Sequence, residues 1–287
     1  MAITIGVHDS NPTLYYLSRL DIAAEELATV GETVAFHHYT NGVRTGQLLT
    51  DGVIDFGGTG STPPVTAQAA GHDIVYAAVS APRPDHGALL VPEDSPVGDV
   101  TGLKAGTVHL AIGSWQTHLI AKALDDAGLS YATDITAERS GPDSEKLLRS
   151  GDITAWVAQG PQLAAALRTG GLRVLIRTGD VITDRSVFFT RRDLAEQRPD
   201  VMEALLRALR RADAWAEAHY REAAAIAADH QGGTADDWET ALRALPWRLE
   251  DVSEEFLAEQ QQAADIFVRT GFVDRAVTVA DAVARRA

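Results

Sequence analysis

The chain has 287 residues, 45% of them apolar and 23% charged, and its 25 Lys and Arg against 40 Asp and Glu leave a net charge of −15. That composition describes an ordinary globular chain, and the acidic balance argues against nucleic acid as a partner, because phosphate binding needs a basic face. With no cysteine there is no disulfide, no thiolate nucleophile and no cysteine-ligated metal.

Met1 and Ala2 lead straight into a first predicted strand at residues 3–7, without the charged and apolar regions of an export signal. A natural start at Met1 would place the protein in the cytoplasm; a removed upstream export segment would place it outside, and the localisation stays open between them. No run approaches the roughly 18 apolar residues of a membrane-spanning helix, so no transmembrane segment is expected.

Further short apolar runs bounded by turn residues predict strands at 33–36, 53–56, 74–79, 107–112 and 153–157, with helical patterns between them. Alternating strands and helices predict parallel sheets, whose ligands sit beyond the carboxyl ends of the strands. The loops at those ends are 8–12, 57–64, 113–118 and 159–161.

The first half of the chain repeats itself. LLTDGVIDFGGTG at 48–60 is echoed by LLRSGDITAWVAQG at 147–160, and each copy reads strand, polar loop, helix, strand, helix, strand, polar loop, helix, strand. Two such copies predict an α/β fold of two lobes facing each other across a cleft. The turn-rich stretch at 80–87 reads as the crossing out of the first lobe, and 177–186 as the return; two crossings make a hinge.

After the return the chain is helical. Asp200 with Glu203 resembles a capping box, and Val201, Leu205, Ala208, Leu209, Ala212 and Trp215 keep one apolar stripe. Further helices are expected over 221–228, 236–244 and 253–270, and Trp215, Trp238 and Trp247 are assigned to packing.

The tract Gly57-Gly58-Thr59-Gly60-Ser61-Thr62-Pro63-Pro64 follows a strand and precedes a helix expected over 65–70. It lacks the Gly-Lys-Ser/Thr of a nucleotide-hydrolase loop and the glycine spacing of a dinucleotide fingerprint. What it offers is backbone N–H groups and hydroxyls at a helix N-terminus, which bind anions. Gly113-Ser114-Trp115-Gln116-Thr117 repeats the device, so one anion held between two helix ends is the expectation. Arg44, Arg83, Arg139 and Arg185 are candidate anion partners, Arg185 first because it lies on the return crossing. His8, His37, His38, His86 and His118 sit in or near loops without a metal-ligand spacing, so no metal or cofactor is expected. Ser10, Ser61 and Ser114 lack the G-x-S-x-G elbow of a hydrolase nucleophile.

Residues 52–71, GVIDFGGTGSTPPVTAQAAG, resemble the core signature of the aliphatic sulfonate, taurine and nitrate solute-binding proteins of ABC importers. Further matches are Val91-Pro92-Glu93-Asp94-Ser95-Pro96, Leu103-Lys104, Gly113-Ser114 and Glu259-Gln260-Gln261-Gln262, so the resemblance spans essentially the whole chain. It implies a two-lobed, type II periplasmic-binding-protein-like fold with two crossover hinge segments and a helical C-terminal part. Lobe one would comprise 1–85 plus 185–287, and lobe two 86–184. It also implies a sulfonate-like organic anion held by Ser10, Asn11, Thr59, Gly60, Ser61, Gly113 and Ser114, with an ABC permease as partner; Gln159 and Arg185, from this chain's own loop and return crossing, complete the candidate ligand-binding residues. Two departures stand out: Gln159-Gly160-Pro161 replaces a common Trp-Asp-Pro, and Asp184-Arg185 replaces a segment that usually carries Asn and Tyr. The same fold also houses a cofactor-free desulfinase with an Asn-Cys-Pro run and a His-Phe-Thr run. Here those read Ser10-Asn11-Pro12 and His38-Tyr39-Thr40. The alternative it raises is a cytoplasmic enzyme using His38 or His8 for acid/base chemistry.

Overall fold

The computed structural model describes residues 2–284. The first copy folds as β1 (Ala2–His8), α1 (Pro12–Leu17), α2 (Ile22–Ala28), β2 (Thr33–Tyr39), α3 (Thr45–Thr50), β3 (Phe56–Thr59), α4 (Thr62–Ala69) and β4 (Ile74–Ser80). After the crossing come β5 (Gly87–Pro92), β6 (Thr107–Leu110), α5 (Trp115–Asp126), β7 (Thr136–Arg139), α6 (Ser144–Ser150), β8 (Ala155–Gln159), α7 (Gly160–Thr169) and β9 (Leu172–Arg177). The return leads into β10 (Val187–Arg191), α8 (Arg192–Gln197), α9 (Pro199–Ala218), α10 (Tyr220–Gln231), α11 (Ala235–Arg243), β11 (Leu249–Glu250) and α12 (Glu254–Arg269).

The strands form two sheets, ordered β11-β4-β10-β3-β1-β2 and β7-β6-β8-β5-β9. The duplication is visible in that order. β2, β1 and β3 run parallel as β7, β6 and β8 do, and each sheet then takes one antiparallel strand delivered by a crossing, β10 in the first and β5 in the second. Helices cover both faces of each sheet, because strands such as β3 and β5 are buried on both sides and must be shielded from water. In the first lobe α1, α2 and α9 enclose one apolar cluster around Ile5 and Phe188, and α3, α4 and α12 enclose another around Phe189 and Phe267.

Strand starts differ from expectation in a way that explains the echo. Residues 53–55 and 153–154 are not strand. The Val53 and Ile54 N–H groups both return to the Leu48 carbonyl, and those of Asp152 and Ile153 return to the Leu147 carbonyl, which caps α3 and α6. Each cap turns on a glycine with positive φ, Gly52 at 68° and Gly151 at 79°, a conformation that costs other residues roughly 1 kcal/mol. The repeated Leu-Leu-x-x-Gly is therefore a helix stop, and the strand begins two or three residues later.

Two other expectations are corrected. Strand β6 ends at Leu110 because the Ala111 N–H donates to the Gln116 Oε1 side chain instead of the ladder. Asp200 does not cap α9: the helix starts with Pro199 at its first position, and the Asp200 carboxylate pairs with the Arg198 guanidinium at 2.9 Å. The apolar stripe of α9 is buried from Val201 to Ala212, with Trp215 half-buried beyond it.

Candidate functional site

A cavity of about 860 Å³ lies between the two sheets. Its floor and walls come from the loops at the carboxyl ends of β1, β3, β6 and β8, the end at which parallel sheets take ligands. Ser10, Asn11, Thr59, Gly60, Gly113, Ser114 and Gln159 all line it. Ser61 and Arg185 do not.

Asn11 and Ser114 occupy equivalent places, each at the N-cap of the helix after a lobe's first parallel strand. Asn11 Oδ1 accepts from the Leu14 N–H at 3.1 Å, and Ser114 Oγ accepts from the Gln116 N–H at 3.1 Å. The cap fixes which way the Asn11 amide points. Its oxygen faces the helix, and the buried Nδ2 is left with no hydrogen-bond partner. Buried donors are nearly always satisfied, so an orphan on a cavity-lining side chain stands out.

Gln159 is oriented by a chain of groups that have no choice of role. The Ala111 N–H can only donate, so it fixes Gln116 Oε1 as acceptor at 2.7 Å; Gln116 Nε2 then donates to Gln159 Oε1 at 2.9 Å, and the Trp115 indole donates to the same oxygen at 3.0 Å. With Oε1 used twice, Gln159 has its Nε2 hydrogens to offer.

The helix ends are less open than the sequence suggests. Pro63 and Pro64 stand in the first turn of α4 and bring no N–H groups there. Thr62 Oγ1 donates across the lobes to the Ser114 carbonyl at 2.7 Å, and Ser61 Oγ lies 3.2 Å from His118 Nδ1. On α5 the Gly113 N–H is taken by Thr117 Oγ1 and the Ser114 N–H by the Ala111 carbonyl. The two hydroxyls join the lobes, while the two amides are spent within the second. Gly60 permits the contact, since a Cβ there would stand 3.2 Å from Trp115 Cβ.

The two crossings lie side by side, tied by a buried charge cluster that the sequence did not disclose. Arg83 donates to Asp184 Oδ1 at 2.9 Å and to Ser186 Oγ at 3.0 Å, and His86 Nδ1 lies 2.8 Å from Asp184 Oδ2. Burial alone would push the Asp184 carboxyl up, but Arg83 and His86 hold it below the usual carboxylate range. Burial, then the Arg83 charge, lowers His86 against the pull of Asp184. Arg83 and His86 reach the cavity, and the His86 ring packs on Trp115 at 5.0 Å. Arg185 is the correction: its guanidinium is bound by Glu250 at 2.6 Å and Glu259 at 3.1 Å, away from the cleft. Arg139 lines the cavity from its exposed edge, whereas Arg44 stays outside.

Of the two histidines considered for catalysis, His8 lines the cavity and His38 does not. The His8 Nε2 donates to the Thr40 carbonyl at 3.0 Å, and burial, opposed by that bond and by Asp9, lowers its pKa. His38 is half exposed, with Nδ1 3.6 Å from Asp9. His118 is enclosed between α4, α5 and α12, where burial lowers its pKa to about 4. Among the described residues no group of three or more His, Asp or Glu is placed to hold a metal ion.

Sequence reasoning missed the aromatic walls. Trp115, Trp156 and Trp238 line the cavity with Tyr15 and Tyr16, so Trp238 is more than a packing residue. The position of Trp115, directly after the Gly113-Ser114 loop, was the available signal.

Comparison with known proteins agrees with this geometry. The model of the NMT1-like family matches residues 29–230. A protein of Escherichia coli K12 named as aliphatic sulfonates-binding is 34% identical over 81% of this chain and 73% of its own length. The crystal structure of the periplasmic aliphatic sulphonate binding protein SsuA from Escherichia coli superposes with a TM-score of 0.88 at 30% identity, covering 98% of this chain and 97% of that one. The alkanesulfonate-binding protein SsuA from Xanthomonas axonopodis pv. citri, bound to MOPS, gives 0.83 at 26% identity over 99% and 98%. With its fold shared along nearly its whole length by sulfonate-binding relatives, the chain belongs to the NMT1-like family and has the periplasmic-binding fold.

Proposed function

We propose that this protein is a solute receptor that closes its two lobes on one small sulfonate-like organic anion and delivers it to the permease of an ABC importer. The observation that carries this reading is that Asn11, whose buried Nδ2 has no hydrogen-bond partner, and Gln159, whose amide is fixed with its nitrogen to offer, line the same cavity. A sulfonate has three acceptor oxygens and no donor, which suits neutral N–H groups converging from both lobes. The Arg83 cation, also on the cavity wall, is already committed to Asp184 and adds a favourable field without a full ion pair. The relatives named for sulfonate binding support the same ligand class. The enzyme alternative finds less support, because His38 stands outside the cavity and the His8 Nε2 is spent on a backbone carbonyl.

Thermal unfolding with methanesulfonate, ethanesulfonate, hexanesulfonate, sulfate and acetate tests the proposal. An alkanesulfonate at a hundred times its Kd should add about 2.7 kcal/mol, and chromatography should recover it unchanged. Stabilisation by none of the sulfonates, or their conversion to a product, would overturn it.

A further inference from the structure

Resting on that reading, we infer that the anion this cleft selects carries an uncharged, ring-sized apolar tail, seated in a subsite between α7 and α11, and that Trp238 sets the preference. The cavity is much larger than a sulfonate head needs: at roughly 30 Å³ per water-sized group, its 860 Å³ has room for far more than four heavy atoms and a two-carbon chain.

The surplus has a direction. Helix α1 starts at the anion end with Asn11, and one turn later, about 6 Å along the axis, Tyr15 and Tyr16 meet α10, their hydroxyls directed at the Ile226 and Ala223 carbonyls. Helix α7 starts beside Gln159, lines the cavity from Pro161 to Ala165 and meets α11 through Arg168, while Tyr16 of α1 packs in one cluster with Leu242 of α11. There Trp238, Ala241 and Leu242 line the cavity at a spacing that puts them on one helix face, with Leu245 just beyond the helix end. This end is an apolar box.

It is also a fixed box without an unpaired carboxylate. Behind it, Arg168 of α7 grips Asp237 of α11 through Nε at 3.1 Å and Nη2 at 2.8 Å, and the Thr234 hydroxyl donates to the same carboxylate. The Trp238 indole donates to the Gly232 carbonyl, which holds the ring in place. A zwitterionic tail would need an unpaired carboxylate near this end, and those of α6 and α11 that line the cavity are paired: Asp237 has Arg168 and Glu145 has Arg149 at 2.8 Å, while Asp9 belongs to the loop after β1. An ammonium group would gain nothing here to offset its desolvation. A neutral ring would remove apolar surface from water on both sides.

The test is titration calorimetry of the whole chain with ethanesulfonate and naphthalene-2-sulfonate, on the wild type, Ala241→Trp and Trp238→Ala. The wild type should bind both, naphthalene-2-sulfonate at least about tenfold tighter. Ala241→Trp fills the box and should cost naphthalene-2-sulfonate at least about tenfold while leaving ethanesulfonate within about twofold. Trp238→Ala, which does not crowd the core, should weaken only the aromatic ligand, by about fivefold or more. Ethanesulfonate binding as tightly as naphthalene-2-sulfonate would overturn the tail subsite and leave the anion reading standing. An equal loss of both ligands in Trp238→Ala would do the same. Binding of neither ligand would overturn the anion reading, and this assignment with it.

Discussion

Asp213 is buried on α9 with Thr13 Oγ1 donating to it at 2.7 Å, and burial pushes its carboxyl up to about 6 despite that bond. The native state therefore binds more protons than the unfolded chain between about 3.8 and 6, and stability falls as pH rises through that window. Asp213→Asn keeps an oxygen for Thr13 and removes the charge. Chemical denaturation at pH 7.5 should find it about 2 kcal/mol more stable than the wild type, with the gain vanishing near pH 4. His118 acts in the opposite sense. Its pKa drops from 6.5 to about 4 in the fold, so the unfolded chain binds the extra proton, and its contribution is intact above 6.5 and is lost as pH falls toward 4. His118→Gln should flatten the acid limb of the stability profile by about 3 kcal/mol between pH 6.5 and 4; an unchanged limb would contradict the account. Residue types in the cleft loops were legible from sequence, but their hydrogen-bond roles were not. Ser61 and Thr62 look like ligand hydroxyls in the sequence, yet they face the other lobe, a matter of side-chain direction that loop composition does not encode.

Helices and strands were legible where a local rule decides them, as with the duplicated α/β pattern and the serine before α12, whose Oγ accepts from the Phe256 N–H at 3.2 Å. What the echo meant was less legible, because Leu-Leu-x-x-Gly reads as the approach to a strand until the returning amides of Val53 and Asp152 are seen to cap a helix. The hinge cluster lay beyond sequence altogether, since Arg83 and His86 stand 101 and 98 positions from Asp184. Both partners of the Arg83–Asp184 pair are buried, so removing one strands the other's charge. Asp184→Asn should cost about 3–5 kcal/mol in equilibrium unfolding. Removing both charges, Arg83→Met with Asp184→Asn, keeps at 184 a residue that tolerates its φ of 40° and should recover most of that loss, and a double variant as unstable as the single one would show that the charge is not the cause.

The whole molecule joins two copies of one unit, each lending the loops at its strand ends to a shared cleft. On the proposed reading, an acidic body can hold an anion there because the groups that meet it are neutral donors with fixed orientation, and the Arg83 cation on the cavity wall is already paired. Asn11 is the most direct handle on that claim. Asn11→Asp keeps the oxygen that caps α1 and exchanges the free amide for a negative charge, which a helix N-terminus tolerates and a bound anion does not. Titration calorimetry of hexanesulfonate against the wild type and Asn11→Asp should show one ligand per wild-type chain and a loss of at least about a hundredfold in a variant that circular dichroism shows to be folded. Equal affinity in the two proteins, or no saturable binding to the wild type, would contradict the account.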